Sequence, residues 1–150
     1  MPLAGRFRTD FPHLDCDRLF ALAADIESYP GFIPWCRRAR ILERDGCCWL
    51  VENHFGAGPV DVRFHTTARP RPPEELEITA SDGPFRSFRL LWRFLPLPGG
   101  GCRVEAGYRM SLRSPLLQGL AMLSMHEVER RVIRNFHDRA RSVYGERAAL

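Results

Sequence analysis

The chain reads as an α+β domain in which a curved antiparallel sheet of about six or seven strands wraps one long C-terminal helix. Two patterns predict it. The middle of the sequence alternates apolar and polar residues with period two, as strands do when one face is buried and the other wet. The last segment carries an apolar stripe at steps of three and four, which is helical spacing.

A first strand spans Gly5 to Phe11. A short helix follows, opened by Asp15 as N-cap, with Leu19, Leu22, Ala23 and Ile26 on one face. Pro30 and Pro34 end it and leave a one-turn or irregular piece from Tyr29 to Cys36. Two weaker strands, Ala39 to Arg44 and Cys47 to Phe55, join at Asp45-Gly46, a hairpin signal. In the next strand Val60, Val62, Phe64, Thr66 and Ala68 share a face. Leu76, Ile78 and Ala80 then oppose Glu75, Glu77 and Thr79, and Phe88, Leu90, Trp92 and Phe94 oppose Arg89, Leu91 and Arg93. A final strand sets Cys102, Val104, Ala106, Tyr108, Met110 and Leu112 against Arg103, Glu105, Gly107, Arg109, Ser111 and Arg113. Proline- and glycine-rich turns separate these later strands.

Ser114 caps the closing helix, and Pro115 stands where a first turn tolerates proline. Its stripe runs Leu117, Ala121, Met125, Val128, Val132, Phe136, Ala140 and Val143, and Gly145 terminates it. About 30 residues at 1.5 Å each make roughly 45 Å, enough to cross a whole sheet. No repeat, linker or second domain is visible, so residues 1–150 are expected to form a single domain.

Composition excludes several classes. With 45% hydrophobic and 27% charged residues the composition is that of an ordinary globular protein and suggests neither disorder nor a disulfide scaffold. No apolar run approaches the ~20 residues of a membrane-spanning helix. The longest, Leu116 to Met125, is broken by Gln118, Gly119 and Ser124. Arg6, Arg8 and Asp10 interrupt any secretory signal, and a cytoplasmic setting, at most peripheral to the inner membrane, is expected. Cys16, Cys36, Cys47, Cys48 and Cys102 are odd in number and lack metal spacing, so reduced thiols are expected. Cys47 and Cys48 are expected on opposite sides of a strand. The 22 basic residues are all arginine, and the net charge of +4 permits attraction to anionic membrane or RNA without requiring either.

A sheet bent around one helix has difficulty filling its concave side evenly. Its inward residues are large from Phe88 to Phe94 but small or polar at Thr66, Ala68, Ala80 and Ala106. Two readings fit: an ordinary packed core, or a cavity lined by aromatic and aliphatic groups with a few polar anchors. The front of the long helix is apolar nearly all round, at Leu116, Leu117, Leu120, Ala121, Met122, Leu123 and Met125. Such a collar needs a cover, whether a loop, a partner subunit or lipid. Gly119 within it either admits a close neighbour or is tolerated drift.

The run Asp25-Ile26-Glu27-Ser28-Tyr29-Pro30-Gly31-Phe32-Ile33-Pro34-Trp35-Cys36 resembles the signature of the coenzyme Q-binding START-domain family. That family lies within the polyketide-cyclase and lipid-transport superfamily, some of whose bacterial members are ribosome-association toxins. Leu91-Trp92-Arg93-Phe94-Leu95-Pro96 and the helix end Asn135-Phe136-His137-Asp138-Arg139-Ala140-Arg141-Ser142-Val143-Tyr144-Gly145 extend the likeness over almost the whole chain. The stretch His54 to Pro59, with a proline and two glycines, departs from the family's smoother strand. Mitochondrial relatives carry a transit peptide, and its lack here fits a bacterial cytoplasmic protein. The resemblance implies a helix-grip (START/Bet v 1-like) fold that holds ubiquinone or a related prenyl quinone as ligand, with no other cofactor, and delivers it to membrane enzymes without chemistry. Tyr29, Phe32, Pro34 and Trp35 then flank a cavity walled by Phe64, Thr66, Phe88, Leu90, Trp92, Phe94, Tyr108, Met110, Leu117, Leu120 and Ala121. A purely structural role, with the signature buttressing the bend, fits the same residues.

No histidine pair has metal-ligand spacing, and neither a nucleophile elbow nor a phosphate-binding glycine loop occurs. Cys36 lacks a visible base and reads as a buried structural cysteine. No acid–base pair stands out, although some superfamily members catalyse cyclisation or dehydration in the pocket. Arg63, Arg69, Arg89, Arg93, Arg103, Arg109 and Arg113 face outward. Either they pair across strands with Asp61, Glu75, Glu77 and Glu105, or they meet an anionic partner such as ribosomal RNA or lipid headgroups. Aromatics for base stacking are scarce there. A prenyl lipid is the expected partner, with an anionic membrane surface or a ribosomal subunit as further ones, and no DNA.

Overall fold

The structure, a computed structural model, describes residues 2–145. β1 (Leu3–Phe11) leads through Asp15, whose carboxylate accepts the Arg18 amide at 2.9 Å, into α1 (Cys16–Ala24). A short 3-10 segment, Ile26–Gly31, follows. Six strands come next: β2 (Cys36–Asp45), β3 (Cys48–Ala57), β4 (Val60–Arg71), β5 (Glu75–Ala80), β6 (Phe85–Pro96) and β7 (Cys102–Leu112). α2 (Pro115–Tyr144) closes the chain, with Ser114 as its N-cap and Gly145 beyond its end.

The strands form one seven-stranded sheet in the order β1-β7-β6-β5-β4-β3-β2, every pair antiparallel. This is the helix-grip architecture expected from the alternation. β2 to β7 follow as hairpins, and β1 returns to pair with β7, so Phe11 stands opposite Cys102. Register shifts in β2 and at Phe85/Ser87 in β6 add the twist that curves the sheet around the helix. The departure at His54 to Pro59 is the β3–β4 hairpin: Ala57 pairs with Val60 across Gly58-Pro59, with Gly58 at φ +58°.

α2 crosses the concave face and is held unevenly along its length. Val132, Phe136 and Ala140 are buried. The Phe136 ring meets Phe11 at 5.7 Å, Phe32 at 5.9 Å and Trp92 at 5.4 Å. Polar ties reinforce this end: Asn135 donates to the Phe32 carbonyl at 3.0 Å, and the Tyr144 hydroxyl donates to the Arg18 carbonyl at 2.9 Å. The stripe therefore ends on Tyr144 and not on Val143, which is 46% exposed, because a step of four from Ala140 matches the helical turn better.

Two cysteine expectations are corrected. Cys16 and Cys102 form a disulfide with Cα atoms 5.2 Å apart, joining the start of α1 to the start of β7. Nothing in their spacing announces it, because β1–β7 pairing and α1 bring together residues separated by 86 positions. The argument for a reducing compartment from unpaired thiols falls with it. Cys47 lies in the turn before β3, so its sulfur sits 3.6 Å from that of Cys48 and not across a strand from it.

Two outcomes follow from this packing. Phe136→Ala removes the ring that joins α2 to the sheet and should cost about 3–5 kcal/mol in denaturant unfolding. Reducing the Cys16–Cys102 bond, or replacing both cysteines with serine, should lower stability by roughly 2–5 kcal/mol without changing the circular-dichroism spectrum of the folded state. An unchanged unfolding midpoint under reductant would contradict the pairing.

Candidate functional site in the grip

Inward-facing residues of the sheet gather in two apolar groups. One, at the C-terminal half of α2, contains Phe11, Leu19, Leu76, Trp92, Phe94 and Phe136 and is tightly closed. The other consists of Phe64, Phe85, Tyr108 and Met110, with Phe88, Leu90 and Met125 packed against it. Here the cover is thin. Phe88 and Leu90 point inward, Met125 packs there from α2 with Ala121 and Leu117 one and two turns before it on the same helix face, and all five are only half-buried. The grip is thus tightly packed at one end and only partly covered at the other, its open end.

Polar groups punctuate this inner surface. Asn53, buried on β3, donates to Thr66 Oγ1 at 3.0 Å and approaches the carbonyls of Val51 and Phe64. The Tyr108 hydroxyl donates to the Glu129 carboxylate across the space between β7 and α2. Burial, then the bond and charge of Glu129, raise the Tyr108 pKa, so the phenol keeps its proton. Gly5 on β1 makes this pair possible, since a Cβ there would collide with the Tyr108 hydroxyl. His137 stacks on Phe11 at 4.0 Å and bonds Thr9 at 2.7 Å, and burial lowers its pKa. Trp92 Nε1 is buried without a hydrogen-bond partner among the described residues. The neighbouring Tyr29 hydroxyl, its pKa raised by burial, donates to the Ala23 carbonyl at 2.6 Å.

The residues singled out from the sequence divide by position. Phe64, Phe88, Leu90, Tyr108 and Met110 come together around the open end, Thr66 is buried on the inner row of β4 against Asn53, and Leu117 and Ala121 are half-buried on the helix face that carries Met125. Tyr29, Phe32, Pro34, Trp92 and Phe94 lie in or beside the closed end, where Tyr29 and Phe32 stack edge-on at 5.2 Å. Two expectations are corrected. Trp35 is 44% exposed, because its backbone turns through φ +66° and carries the indole away from the core. Leu120 is 51% exposed on the side of α2 that faces away from the sheet. Burial pushes the Cys36 thiol up to about 11, which suits an unreactive core cysteine.

Sequence reasoning missed Asn53, Gly5 and Glu129. The signals were present: Asn53 occupies the inward row of β3 between Val51 and Phe55, and Glu129 follows Val128 on the edge of the helical stripe. Glycine in a strand often marks close approach of another group.

On the outer face the pairing of arginines with carboxylates is partly realised: Arg89 and Arg69 meet Glu77 at 2.8 and 3.7 Å, and Arg71 and Arg93 meet Glu75. Near β1 the balance fails. Arg89 stands directly opposite Arg109, and Gly107 between Arg6 and Leu91 leaves a depression of about 500 Å³ with Arg6, Arg93 and Glu105 on its walls. Among the described residues no group of three or more His, Cys, Asp or Glu side chains could hold a metal, and no helix is long and apolar enough to cross a membrane.

Known proteins of similar sequence and fold agree with this geometry. The Ribosome association toxin RatA of Vibrio cholerae is 25% identical over 139 residues, covering 93% of this chain and 96% of that protein. The mitochondrial Coenzyme Q-binding protein COQ10 homolog B of Xenopus laevis is 25% identical over 153 residues, covering 96% of this chain and 63% of its own length. A START superfamily protein from Mycobacterium smegmatis superposes with a TM-score of 0.75 at 12% identity, over 95% of this chain and 98% of that one, a likeness of fold. Residues 13–137 match the family described as polyketide cyclase / dehydrase and lipid transport, and the chain belongs to that family.

Proposed function

We propose that this protein binds a hydrophobic ligand, a prenyl quinone such as ubiquinone, and delivers it unaltered in support of respiratory electron transport. One observation carries the reading: the grip is packed closely around Phe136, whereas Phe88 and Leu90 on the sheet and Leu117, Ala121 and Met125 on α2 are only partly buried. Inward side chains left half-wet leave apolar surface that a ligand would cover. A flat ring suits the neighbouring groups, because the half-buried ring of Phe88 and the ring of Tyr108 offer aromatic faces at the open end. The similarity to a coenzyme Q-binding protein supports the cargo class. Tyr108 and Glu129 are bonded to each other, and in this reading they brace the open end and orient the ligand without transferring a proton.

Protein purified from a quinone-producing host should release ubiquinone or menaquinone into organic solvent. Protein that carries no lipid and takes up no added quinone would exclude the reading. Phe88→Ala removes a half-buried ring at the open end, so quinone affinity should fall roughly three- to tenfold with an unchanged circular-dichroism spectrum. Equal affinity would place the ligand elsewhere.

A second reading, association with a ribosomal subunit as a toxin-like protein, is favoured by the outer depression. Arg6 and Arg109 there have no ion-pair partner among the described residues, and like charges face each other at Arg89 and Arg109. A phosphate backbone would relieve that repulsion. Under this reading the protein co-sediments with a ribosomal subunit at physiological salt, and replacing Arg6 and Arg109 with serine reduces both the binding and its salt dependence. Protein left at the top of the gradient would exclude it.

A further inference from the structure

The first turns of α2 present apolar side chains to the outside. Leu116 is 72% exposed and Leu123 is 86% exposed, and with Leu120 they recur at spacings of four and three on one helix face. Met122 is exposed beside them. No aspartate or glutamate occurs between Glu105 and Glu127. The polar groups of the segment are turned inward on the protein itself: Ser114 accepts the Leu117 amide, Gln118 accepts the Leu112 amide at 2.8 Å, and Ser124 donates to the Leu120 carbonyl at 2.9 Å. A surface whose hydrogen bonds are already met loses little on leaving water.

We infer that Pro115–Met125 is a membrane-docking surface that lies in the headgroup and upper acyl layer of an anionic bilayer. The inference rests on the carrier reading, for the leucines lie on the outer side of the same turns of α2 whose inner side carries Met125 over the open end, and bring that end close to the lipid that holds the cargo. Charge selects a bilayer over a second copy of the chain. Glu127, the next position on the leucine face, is neutralised by Arg130 at 2.8 Å, exposed Arg134 continues that face about three turns beyond Leu123, and the chain carries a net charge of +4, so copies repel while an anionic surface attracts. Eleven residues of helix, about 16 Å long, are too short to span a bilayer and suit one lying in its plane.

The test is flotation of the intact protein with vesicles of phosphatidylcholine and phosphatidylglycerol, compared with phosphatidylcholine alone. The protein should float with the mixed vesicles and more weakly with the neutral ones. Leu116→Ser and Leu123→Ser together should reduce partitioning at least about tenfold, with the folded spectrum and quinone uptake from detergent micelles retained. Failure to float, equal flotation of the double variant, or a leucine-dependent dimer that ignores vesicles would overturn the inference. Its failure is separable from that of the carrier reading. Protein that yields quinone on extraction yet does not float fails only here, whereas protein that floats but never holds lipid fails only as a carrier.

Discussion

Everything in this fold hangs on the seat that Phe136 finds in the sheet. One ring on α2 meets Phe11 of β1, Phe32 beyond the 3-10 segment and Trp92 of β6, so a single side chain ties the long helix to the returning first strand and to the middle of the sheet. The Asn135 bond to Phe32 and the Tyr144 bond to Arg18 fix the same half of the helix from either side. With that half anchored, the other half extends over the sheet as a lever. On its inward face Met125 packs against the group of Phe64, Phe85, Tyr108 and Met110, and its outward face is bare leucine.

That asymmetry links packing to function. A uniformly packed grip would be a stable domain with nothing to hold. Here the closed end supplies stability through buried aromatic surface, while the open end keeps apolar side chains only half-covered. The Tyr108–Glu129 bond ties α2 to β7 beside that end, and Gly5 gives the bond its room. The outer face is organised by a different rule, with carboxylates neutralising arginines over β4 to β6 and leaving a cationic depression near β1.

Much of the fold was legible because period two and period 3.6 are direct consequences of strand and helix geometry. Asp15, Ser114 and Gly145 mark helix ends through local hydrogen bonding, and each does so in the structure. What escaped depends on relations between distant residues. The Cys16–Cys102 bond exists only because β1 brings the two ends together, and Glu129 acquires a role only opposite Tyr108. Trp35 shows the converse. Its place in an aromatic signature suggested a cavity wall, but one left-handed backbone angle turns it outward. Of the residues named for the cavity, those on the strands were placed by alternation, whereas Leu120 needed the helix's rotation about its own axis to be known.

The central claim, that cargo enters between the sheet and the front of α2, is tested most directly by methyl-resolved magnetic resonance during titration with ubiquinone. The account predicts shifts at Leu90, Met110, Leu117, Ala121 and Met125, with Val132 and Ala140 at the closed end nearly unmoved. Shifts confined to the outer face, at Ala4 and Leu91, or an unchanged spectrum at saturating quinone, would contradict it.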